Sequence, residues 1–345
     1  MTRPVVVTGA AGFIGRHLVA SLLADSCRVR AFLLPGEAPP TGAGTPPSIV
    51  RGDVTRPADV ERAVLGAEGD SPARAIVHLA AVVGDWGPWS RFEAVTVRGT
   101  AHVLRAAARA GARVVLASSI VVYGQHLGRR PCDETTPHGR AAGPYSRAKQ
   151  AQERLALDLA DRLDVELAVV RPANVFGPGS GPWVETMIDL LDQRRPTLLG
   201  DGDVDAGLCH VDNLVALLRR AIDAPEAVGG VYNAADGFGI GWRRYVHDLA
   251  AAAGTPPPVA LPRPLAQVIA PAGEVLFRLA RQAHRPPITR EALRLVTRPL
   301  DLPTERARRD LGWRPTVAYE PAMLALAADL ASARRGGAAA ASASV

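Results

Sequence analysis

The first fifteen residues contain the pattern that most restricts the fold of this chain. Residues 4–7 (PVVV) form a short apolar run rich in β-branched residues, which is typical of a buried parallel strand. Gly9, Gly12 and Gly15 follow, and an apolar periodicity of helical type then runs to Asp25. A glycine-rich turn between a strand and a helix brings unpaired backbone N–H groups to a helix N-terminus, where they bind a pyrophosphate. We therefore predict a dinucleotide-binding unit at the start of the chain.

Short apolar runs and helical patterns continue to alternate after this unit. Strands are predicted at residues 28–34, 49–54, 75–81, 114–119 and 167–172, with long helices at 92–110 and 146–163. Such alternation predicts an α/β fold, a Rossmann doubly wound parallel sheet. The alternation loosens after residue 174, so we expect an NAD(P)-binding domain at 1–174 and a smaller α+β substrate-binding lobe at 175–333, with some chain crossing back. The low-complexity residues 334–345 are expected to be a disordered tail.

The chain uses arginine for nearly all of its cations. Of 40 Lys and Arg residues 39 are Arg, and the single lysine is Lys149, four residues after Tyr145. Residues four apart lie on one face of a helix. A cation beside a phenol lowers the phenol pKa from about 10. We therefore expect Tyr145 to act as a general acid or base near neutral pH.

A hydroxyl group completes this pair. The predicted strand 114–119 ends in two serines, and the carboxyl ends of parallel strands are where α/β sheets bind ligands. The O–H of Ser119 can donate to a carbonyl oxygen, so Ser119, Tyr145 and Lys149 form a candidate catalytic set. His78 lies inside an apolar strand and is expected to be structural.

The Thr-Gly-x-x-Gly-x-x-Gly turn at residues 8–15 and the Tyr145-x-x-x-Lys149 spacing together resemble the extended short-chain dehydrogenase/reductase family. The resemblance runs from Val5 to about Pro321, and it implies NAD or NADP as cofactor with Ser119, Tyr145 and Lys149 as catalytic residues. It also implies that the cofactor contacts Gly9, Ala11, Gly12, Phe13, Ile14, Gly15, Asp53, Val54, Leu79, Ala80, Ala81, Tyr145, Lys149, Pro172, Asn174 and Val175.

Two positions leave details of the cofactor site open. An acid at the end of the second strand would indicate NAD and an arginine NADP, but Leu33 and Leu34 stand there, with Arg16 and Arg30 only nearby. The family resemblance implies that Asp53 contacts adenine, whereas the residues themselves are equally consistent with a cap for the next helix. Thr96 replaces an asparagine that the family usually carries at a helix kink.

The substrate region departs from the nucleotide-sugar branch of the family. The phosphate-binding arginine usual in that branch is missing from residues 206–210, and the Asp-Glu pair of dehydratases is replaced by Ile120 and Val121. Residues 84–89 and 286–293 instead resemble 3β-hydroxysteroid dehydrogenases and bacterial 2-alkyl-3-oxoalkanoate reductases, which implies a large apolar ketone or alcohol. The expected substrate contacts are Val83, Trp86, Ser119, Ile120 and Asn174. Two alternatives remain, namely a nucleotide-sugar 4-epimerase or 4-ketoreductase and a non-catalytic NAD(P)-binding sensor or scaffold.

Composition excludes several other classes of protein. The net charge is +6, but the arginines are scattered among acids and aromatic residues make up only 5%, so we expect no nucleic-acid partner. Three distant cysteines indicate neither a disulfide framework nor a metal site, which fits the cytoplasm. No apolar run reaches the roughly 18 residues of a transmembrane helix. Residues 265–280 are expected to form an amphipathic lid or to contact a membrane surface, or else to be ordinary core. The family resemblance implies a homodimer through residues 91–110 and 148–163.

Overall fold

The computed structural model describes residues 3–282 and 284–342, with side chains up to residue 335. Its strands are β1 (Val5–Thr8), β2 (Val29–Leu33), β3 (Ser48–Arg51), β4 (Ala75–His78), β5 (Arg113–Ala117), β6 (Leu167–Pro172), β7 (Asn174–Phe176), β8 (Pro196–Leu199), β9 (Leu208–His210), β10 (Val231–Ala234) and β11 (Val259–Leu261). Seven of them form one parallel sheet in the order β10-β6-β5-β4-β1-β2-β3. This order confirms the predicted doubly wound Rossmann sheet.

Helices cover both faces of this sheet. They are α1 (Phe13–Ala24), α2 (Pro57–Leu65), α3 (Trp89–Phe92), α4 (Gly99–Ala110), α5 (Pro144–Leu163), α6 (Thr186–Asp192), α7 (Val211–Asp223), α8 (Trp242–Ala253), α9 (Arg263–Leu279), α10 (Arg290–Val296), α11 (Glu305–Leu311) and α12 (Tyr319–Ser342). A π-helical turn, Glu93–Arg98, joins α3 to α4. The long helix expected at 92–110 therefore contains this turn.

Alternation of side chains along β1 divides the core of the first half into two layers. Val5 and Val7 pack in one layer with α1 and α7, whereas Val6 packs in the other with α2, α4 and α5. Successive residues of a strand point to opposite faces of a sheet, which explains why a run of consecutive valines is buried throughout.

The second half of the chain builds a separate aromatic core. Phe176, Trp242, Tyr245 and Tyr319 lie within it, below the short strand pairs β7–β9 and β8–β11. Strand β10 also belongs to this half of the sequence, but it pairs with β6 and extends the main sheet. The sequence analysis did not predict β10, whose four residues carry one aromatic side chain and too little periodicity to indicate a strand.

Helix α12 runs into residues 334–345, for which the sequence predicts a disordered tail, and that expectation remains a prediction. The helix continues to Ser342, and residues 343–345 lie outside the described part of the chain. Alanine dominates residues 338–341 and has the highest helix propensity of any residue, which explains the continuation. Within residues 3–282 and 284–342, no helix combines the length and the hydrophobicity needed to cross a bilayer.

Candidate active site

The strand order reverses between β1 and β4, and the glycine-rich turn lies at this point. Gly9 has a φ of +66°, and a Cβ there would lie 3.0 Å from the backbone nitrogen of Ala80. A Cβ on Gly15 would overlap the carbonyl oxygen of Gly9. Glycine is therefore required at both positions for the turn to pack against the end of β4. The packed turn leaves a cradle at the switch point where a dinucleotide fits.

The N-terminus of α1 opens into this cradle. Gly12 precedes the first helical residue, and no side chain in the described part of the chain caps the helix there. Its first N–H groups are thus available to an anion. Ala11, Phe13 and Ile14 flank the turn and are partly buried. A pyrophosphate could accept hydrogen bonds from these N–H groups, so the turn fits the predicted dinucleotide cofactor.

The three predicted catalytic residues come together beside the turn. Ser119 follows β5, and Tyr145 and Lys149 lie in the first two turns of α5. The Ser119 hydroxyl lies beside the phenol of Tyr145 and lowers the pKa of that phenol. The Ser119 oxygen also accepts the N–H of Val121 at 3.3 Å. The hydroxyl and the phenol are thus positioned to contact one substrate oxygen.

Lys149 is buried and turns toward the protein interior. Its ammonium group donates to the carbonyl oxygen of Ala117 at 2.7 Å and to the Gln152 side-chain oxygen at 3.0 Å. Removal from water lowers the pKa of Lys149 to about 7, although the negative charge of Glu153 opposes this shift. The lysine therefore gives up its proton more readily than an exposed lysine does.

The pKa of Tyr145 differs from the sequence-based expectation. Burial raises it to about 12, the negative charge of Glu291 adds to this rise, and the hydrogen bond with Ser119 opposes it. The prediction that Lys149 lowers the pKa of Tyr145 is wrong for this structure. The physical reason is that the ammonium group is directed toward Ala117 and Gln152 instead of the phenol.

A chain of buried polar groups extends from Lys149 to the glycine-rich turn. Gln152 donates to the Thr100 hydroxyl at 2.9 Å, and Thr100 lies 3.0 Å from His78 Nε2. His78 Nδ1 lies 2.7 Å from the hydroxyl of Thr8. Desolvation lowers the pKa of His78 to about 3, and the positive charge of Lys149 adds to this shift, so the imidazole is neutral.

This chain of contacts includes two residues that the sequence analysis missed, Gln152 and Thr100. Their positions could have been found by extending the helical periodicity from Lys149, because Gln152 lies one turn further along the same helix. Its partner Thr100 lies on α4 and depends on tertiary packing. His78 makes a hydrogen bond with each ring nitrogen, as expected for a structural histidine.

Thr96 occupies the middle of the π-helical turn, at the position where the family usually carries asparagine. Its hydroxyl accepts the N–H of Val82 at 3.1 Å, and its carbonyl oxygen accepts the Thr100 hydroxyl at 2.7 Å. The distortion of the helix is therefore present with threonine. Wide helical turns of this type often occur at functional sites.

The adenosine side of the cradle contains one carboxylate that the sequence analysis did not single out. Glu37 accepts the N–H of Leu34, just after β2, at 2.8 Å. Arg51 donates to the backbone carbonyl groups of Leu34 and Glu37. Arg30 is buried and donates to backbone oxygens of Ala63 and Ser71, so it serves the fold.

Asp53 and Val54 lie in the loop before α2. The Asp53 carboxylate accepts the N–H of Thr55 at 2.8 Å, which supports the turn at the start of the helix. Val54 is buried against Gly99 on α4. A role of either residue toward adenine remains a prediction.

The remaining expected contacts fall into two groups. The partly buried residues Leu79, Ala80 and Ala81 follow β4 on the cradle side of the sheet. In the second group, Pro172 ends β6, and Asn174 and Val175 follow this strand. All three residues are buried. Both groups therefore lie at the carboxyl ends of sheet strands, and their contact with a cofactor remains a prediction.

The residues expected to contact the substrate differ in their exposure and in their hydrogen bonds. Val83 is 65% exposed at the mouth of the site, and Trp86 donates its indole N–H to the carbonyl oxygen of Gln282. Asn174 is buried and donates to the Ala206 carbonyl oxygen, so one of the two N–H groups of its side-chain amide is already used within the protein. Ile120 is only 1% exposed and packs in the core, and its contact with a substrate remains a prediction.

The sequence analysis also missed a carboxylate near Tyr145, that of Glu291. Glu291 on α10 is buried, and burial raises its pKa to about 7, while the charge of Asp85 contributes to the rise. Asp85 itself accepts hydrogen bonds from Arg285 and Thr289. These contacts fasten the loop after β4 to the segment that precedes α10. Among the described residues, no group of three His, Cys, Asp or Glu side chains could hold a metal ion.

Comparison with known proteins agrees with this geometry. Residues 5–235 match the family described as NAD dependent epimerase/dehydratase family. A 2-alkyl-3-oxoalkanoate reductase from Stenotrophomonas maltophilia (strain K279a) is 30% identical over 341 residues, which cover 95% of this chain and 99% of that protein. A 4-hydroxy-2-methyl-3-oxo-4-farnesyl-3,4-dihydroquinoline-1-oxide ketoreductase from Stigmatella aurantiaca is 27% identical and covers 93% and 94% of the two chains.

Solved structures show the same fold. The structure described as MoeE5 in complex with UDP-glucuronic acid and NAD superposes with a TM-score of 0.72 at 26% identity, covering 96% of this chain and 99% of that one. The likeness therefore extends over both the Rossmann sheet and the second half of the chain.

Proposed function

This chain belongs to the NAD dependent epimerase/dehydratase family, and we propose from this membership that it is an NAD(P)-dependent oxidoreductase of ketones or secondary alcohols. The observation that carries the proposal is the placement of the Ser119 hydroxyl beside the Tyr145 phenol, with Lys149 on the same helix face. A binding protein that only sensed the cofactor would not need this acid/base set.

Each residue of this set has its own role in the reduction of a ketone. When bound, the reduced nicotinamide supplies a hydride from C4 to the carbonyl carbon. Tyr145 donates its phenolic proton to the carbonyl oxygen, and Ser119 donates a hydrogen bond that orients this oxygen. Lys149 would hold the nicotinamide ribose from the position that its hydrogen bonds to Ala117 and Gln152 give its ammonium group. The reverse sequence oxidises a secondary alcohol, with Tyr145 accepting the hydroxyl proton.

An apolar ketone is the proposed substrate class. The two curated relatives described above are named as reductases of molecules that carry alkyl or farnesyl chains. The mouth of the site also offers apolar surface, namely the exposed Val83 and the ring of Trp86. The alternative substrate is a nucleotide sugar, because a family member of the same fold was solved with UDP-glucuronic acid.

A fluorescence titration tests the proposal. The purified protein is titrated with NADH and NADPH, with and without long-chain β-keto esters, and in parallel with UDP- and dTDP-sugars. We expect the ketones to tighten cofactor binding and to cause oxidation of the reduced cofactor. Tightening by a nucleotide sugar alone would replace the ketone reductase with an epimerase or sugar ketoreductase.

We also propose a cytoplasmic homodimer. The three cysteines Cys27, Cys132 and Cys209 are free thiols, which fits a reducing compartment. The proposed dimer interface uses α4 and α5, where Leu157 presents a side chain that is 40% exposed. Light scattering should give the mass of two chains, and Leu157→Arg should shift it toward one.

A further inference from the structure

Helix α9 carries an unusually large apolar surface toward solvent. Six aliphatic side chains are between 37% and 78% exposed: Leu265, Val268, Ile269, Val275, Leu276 and Leu279. At 100° per residue these positions fall within a sector of about 120° around the helix axis. They form one continuous apolar face, which we call the α9 face. The sequence-based alternative that residues 265–280 are ordinary core is therefore wrong.

The opposite side of α9 is fixed to the protein. Ala266, Ala270 and Glu274 are buried. The Glu274 carboxylate accepts the N–H of Arg290 at 2.7 Å and its side-chain Nε at 2.9 Å. The helix is thus held from one side, so the apolar face stays outward. Contiguous exposed apolar surface of this kind marks an interaction site.

The surroundings of the α9 face are strongly basic. Residues 263–298 contain seven arginines and only two acids, Glu274 and Glu291, and both acids are buried. Arg263 and Arg281 lie at the two ends of the helix and are exposed. The charge that this segment presents to its surroundings is therefore cationic, and its complement is an anionic surface.

We propose that the α9 face docks on an anionic lipid bilayer surface. An apolar helix face surrounded by arginines lies in the plane of a membrane interface, with the aliphatic side chains among the acyl chains and the arginines at the headgroups. A second copy of this chain fits less well. A two-fold interface places the same patch on both sides, which would bring Arg263 and Arg281 toward the same arginines of the other copy without exposed acids on residues 263–298 to offset them.

The α9 face lies beside the mouth of the active site. Phe277 on α9 packs edge-on against Trp86, with ring centroids 6.5 Å apart, and the Trp86 indole donates to Gln282 just after the helix. Docking on a bilayer would therefore place the loop after β4 at the lipid surface. A ketone dissolved in the membrane could then enter without crossing water, a consequence that rests on the proposed function.

Vesicle co-sedimentation tests the docking. The full chain is mixed with vesicles of phosphatidylcholine alone and, separately, with vesicles of phosphatidylcholine that contain about 30% phosphatidylglycerol. We expect binding to the anionic vesicles that weakens as salt rises. Val268→Glu with Leu276→Glu should reduce the partition coefficient by roughly tenfold or more, since each change removes one buried aliphatic contact. Leu324→Glu, at a site 72% exposed on α12, is the matched control and should bind as the wild type does.

A second pair of variants tests the charges. Arg263→Gln with Arg281→Gln should weaken binding to anionic vesicles roughly tenfold and leave any binding to neutral vesicles unchanged. Absence of sedimentation with both vesicle types overturns the proposal. So does a fall in molecular mass on Val268→Glu with Leu276→Glu, which would assign the face to a second copy. Because sedimentation needs no turnover, its result is independent of whether a short, water-soluble ketone is reduced.

Discussion

The carboxylate of Glu291 accepts a hydrogen bond from the backbone N–H of Ser146 at 2.8 Å, one residue after Tyr145. This contact joins α10, late in the chain, to the first turn of the catalytic helix. The other carboxylate oxygen is buried without a hydrogen-bond partner among the described residues. Burial raises the pKa of Glu291 to about 7, and its negative charge raises the pKa of Tyr145.

Replacing this carboxylate should change the pH dependence of ketone reduction. As pH rises through about 7, Glu291 ionises and makes Tyr145 a weaker acid. Glu291→Gln keeps an oxygen for the Ser146 N–H but removes the charge. We expect the ratio of variant to wild-type kcat/KM to be constant below pH 6 and to rise a few-fold (about threefold) above pH 8. A flat ratio would contradict the coupling, and Glu320→Gln at the surface is the control.

Much of the fold follows from local sequence patterns. The consecutive apolar residues of β1 and β4 and the glycines after β1 predict a parallel sheet with a dinucleotide turn, because both patterns are set by burial and backbone geometry. Strand β10 could not be predicted, since its position is fixed by pairing with β6 across a long stretch of intervening chain.

The candidate site is predictable only in part. Tyr145 and Lys149 share one helix, so their proximity follows from their spacing. The direction of the Lys149 ammonium does not, because it depends on Ala117 in β5 and on Gln152. Glu291 lies 146 residues after Tyr145 along the sequence and reaches it only through tertiary packing.

Tyr145→Phe should separate an enzyme from a sensor. The change removes the proton donor while keeping the ring, so kcat should fall by roughly 10²–10⁴. NADH affinity, measured by fluorescence titration, should stay within about threefold of the wild-type value, because the proposed role of the phenol oxygen is to contact the substrate. Unchanged turnover would contradict the proposed acid, and loss of cofactor binding would assign Tyr145 to the cofactor site instead.

The single lysine allows a direct measurement of its pKa. Growth with [ε-¹³C]lysine labels Lys149 only, so its resonance can be followed across pH by NMR. We expect a midpoint at about 7, because desolvation disfavours the charged form. Arg308→Lys adds an exposed reference lysine on α11, which should titrate near the ordinary value of about 10.4. A midpoint for Lys149 close to that of the reference would show that its ammonium group is solvated.

The cofactor preference should follow from Glu37. Its carboxylate lies at the end of β2, where an acid binds a ribose hydroxyl and repels a phosphate. We expect NADH to bind more tightly than NADPH, and Glu37→Gln to tighten NADPH binding several-fold (about fivefold) with little effect on NADH. Glu68→Gln, an exposed acid in another loop, is the control. Tighter NADPH binding that is lost in Arg51→Gln would instead assign the ribose site to Arg51.

Mutation of the buried ion pair between α5 and β6 should lower the free energy of unfolding far more than mutation of an exposed pair. Glu153 and Arg171 have side chains 1% and 5% exposed, and their atoms Oε1 and Nη2 lie 2.5 Å apart. Glu153→Gln leaves the buried guanidinium without its counter-charge, which should lower the free energy of unfolding by about 3–5 kcal/mol. Asp203→Asn, in an exposed pair with Arg243, should cost at most about 0.5 kcal/mol.

Urea unfolding at several pH values measures how much each variant lowers the free energy of unfolding and how this loss changes with pH. Burial alone would raise the pKa of Glu153, but hydrogen bonds from His138 and Arg171 outweigh it and hold the pKa at about 2. A lowered acid pKa stabilises the folded chain above the unfolded value of about 4.3, and the benefit is lost as pH falls toward 2. The gap between wild type and Glu153→Gln should therefore be full at pH 7 and shrink below pH 4. A gap that does not change with pH would show that Glu153 acts through packing and hydrogen bonds rather than through its charge.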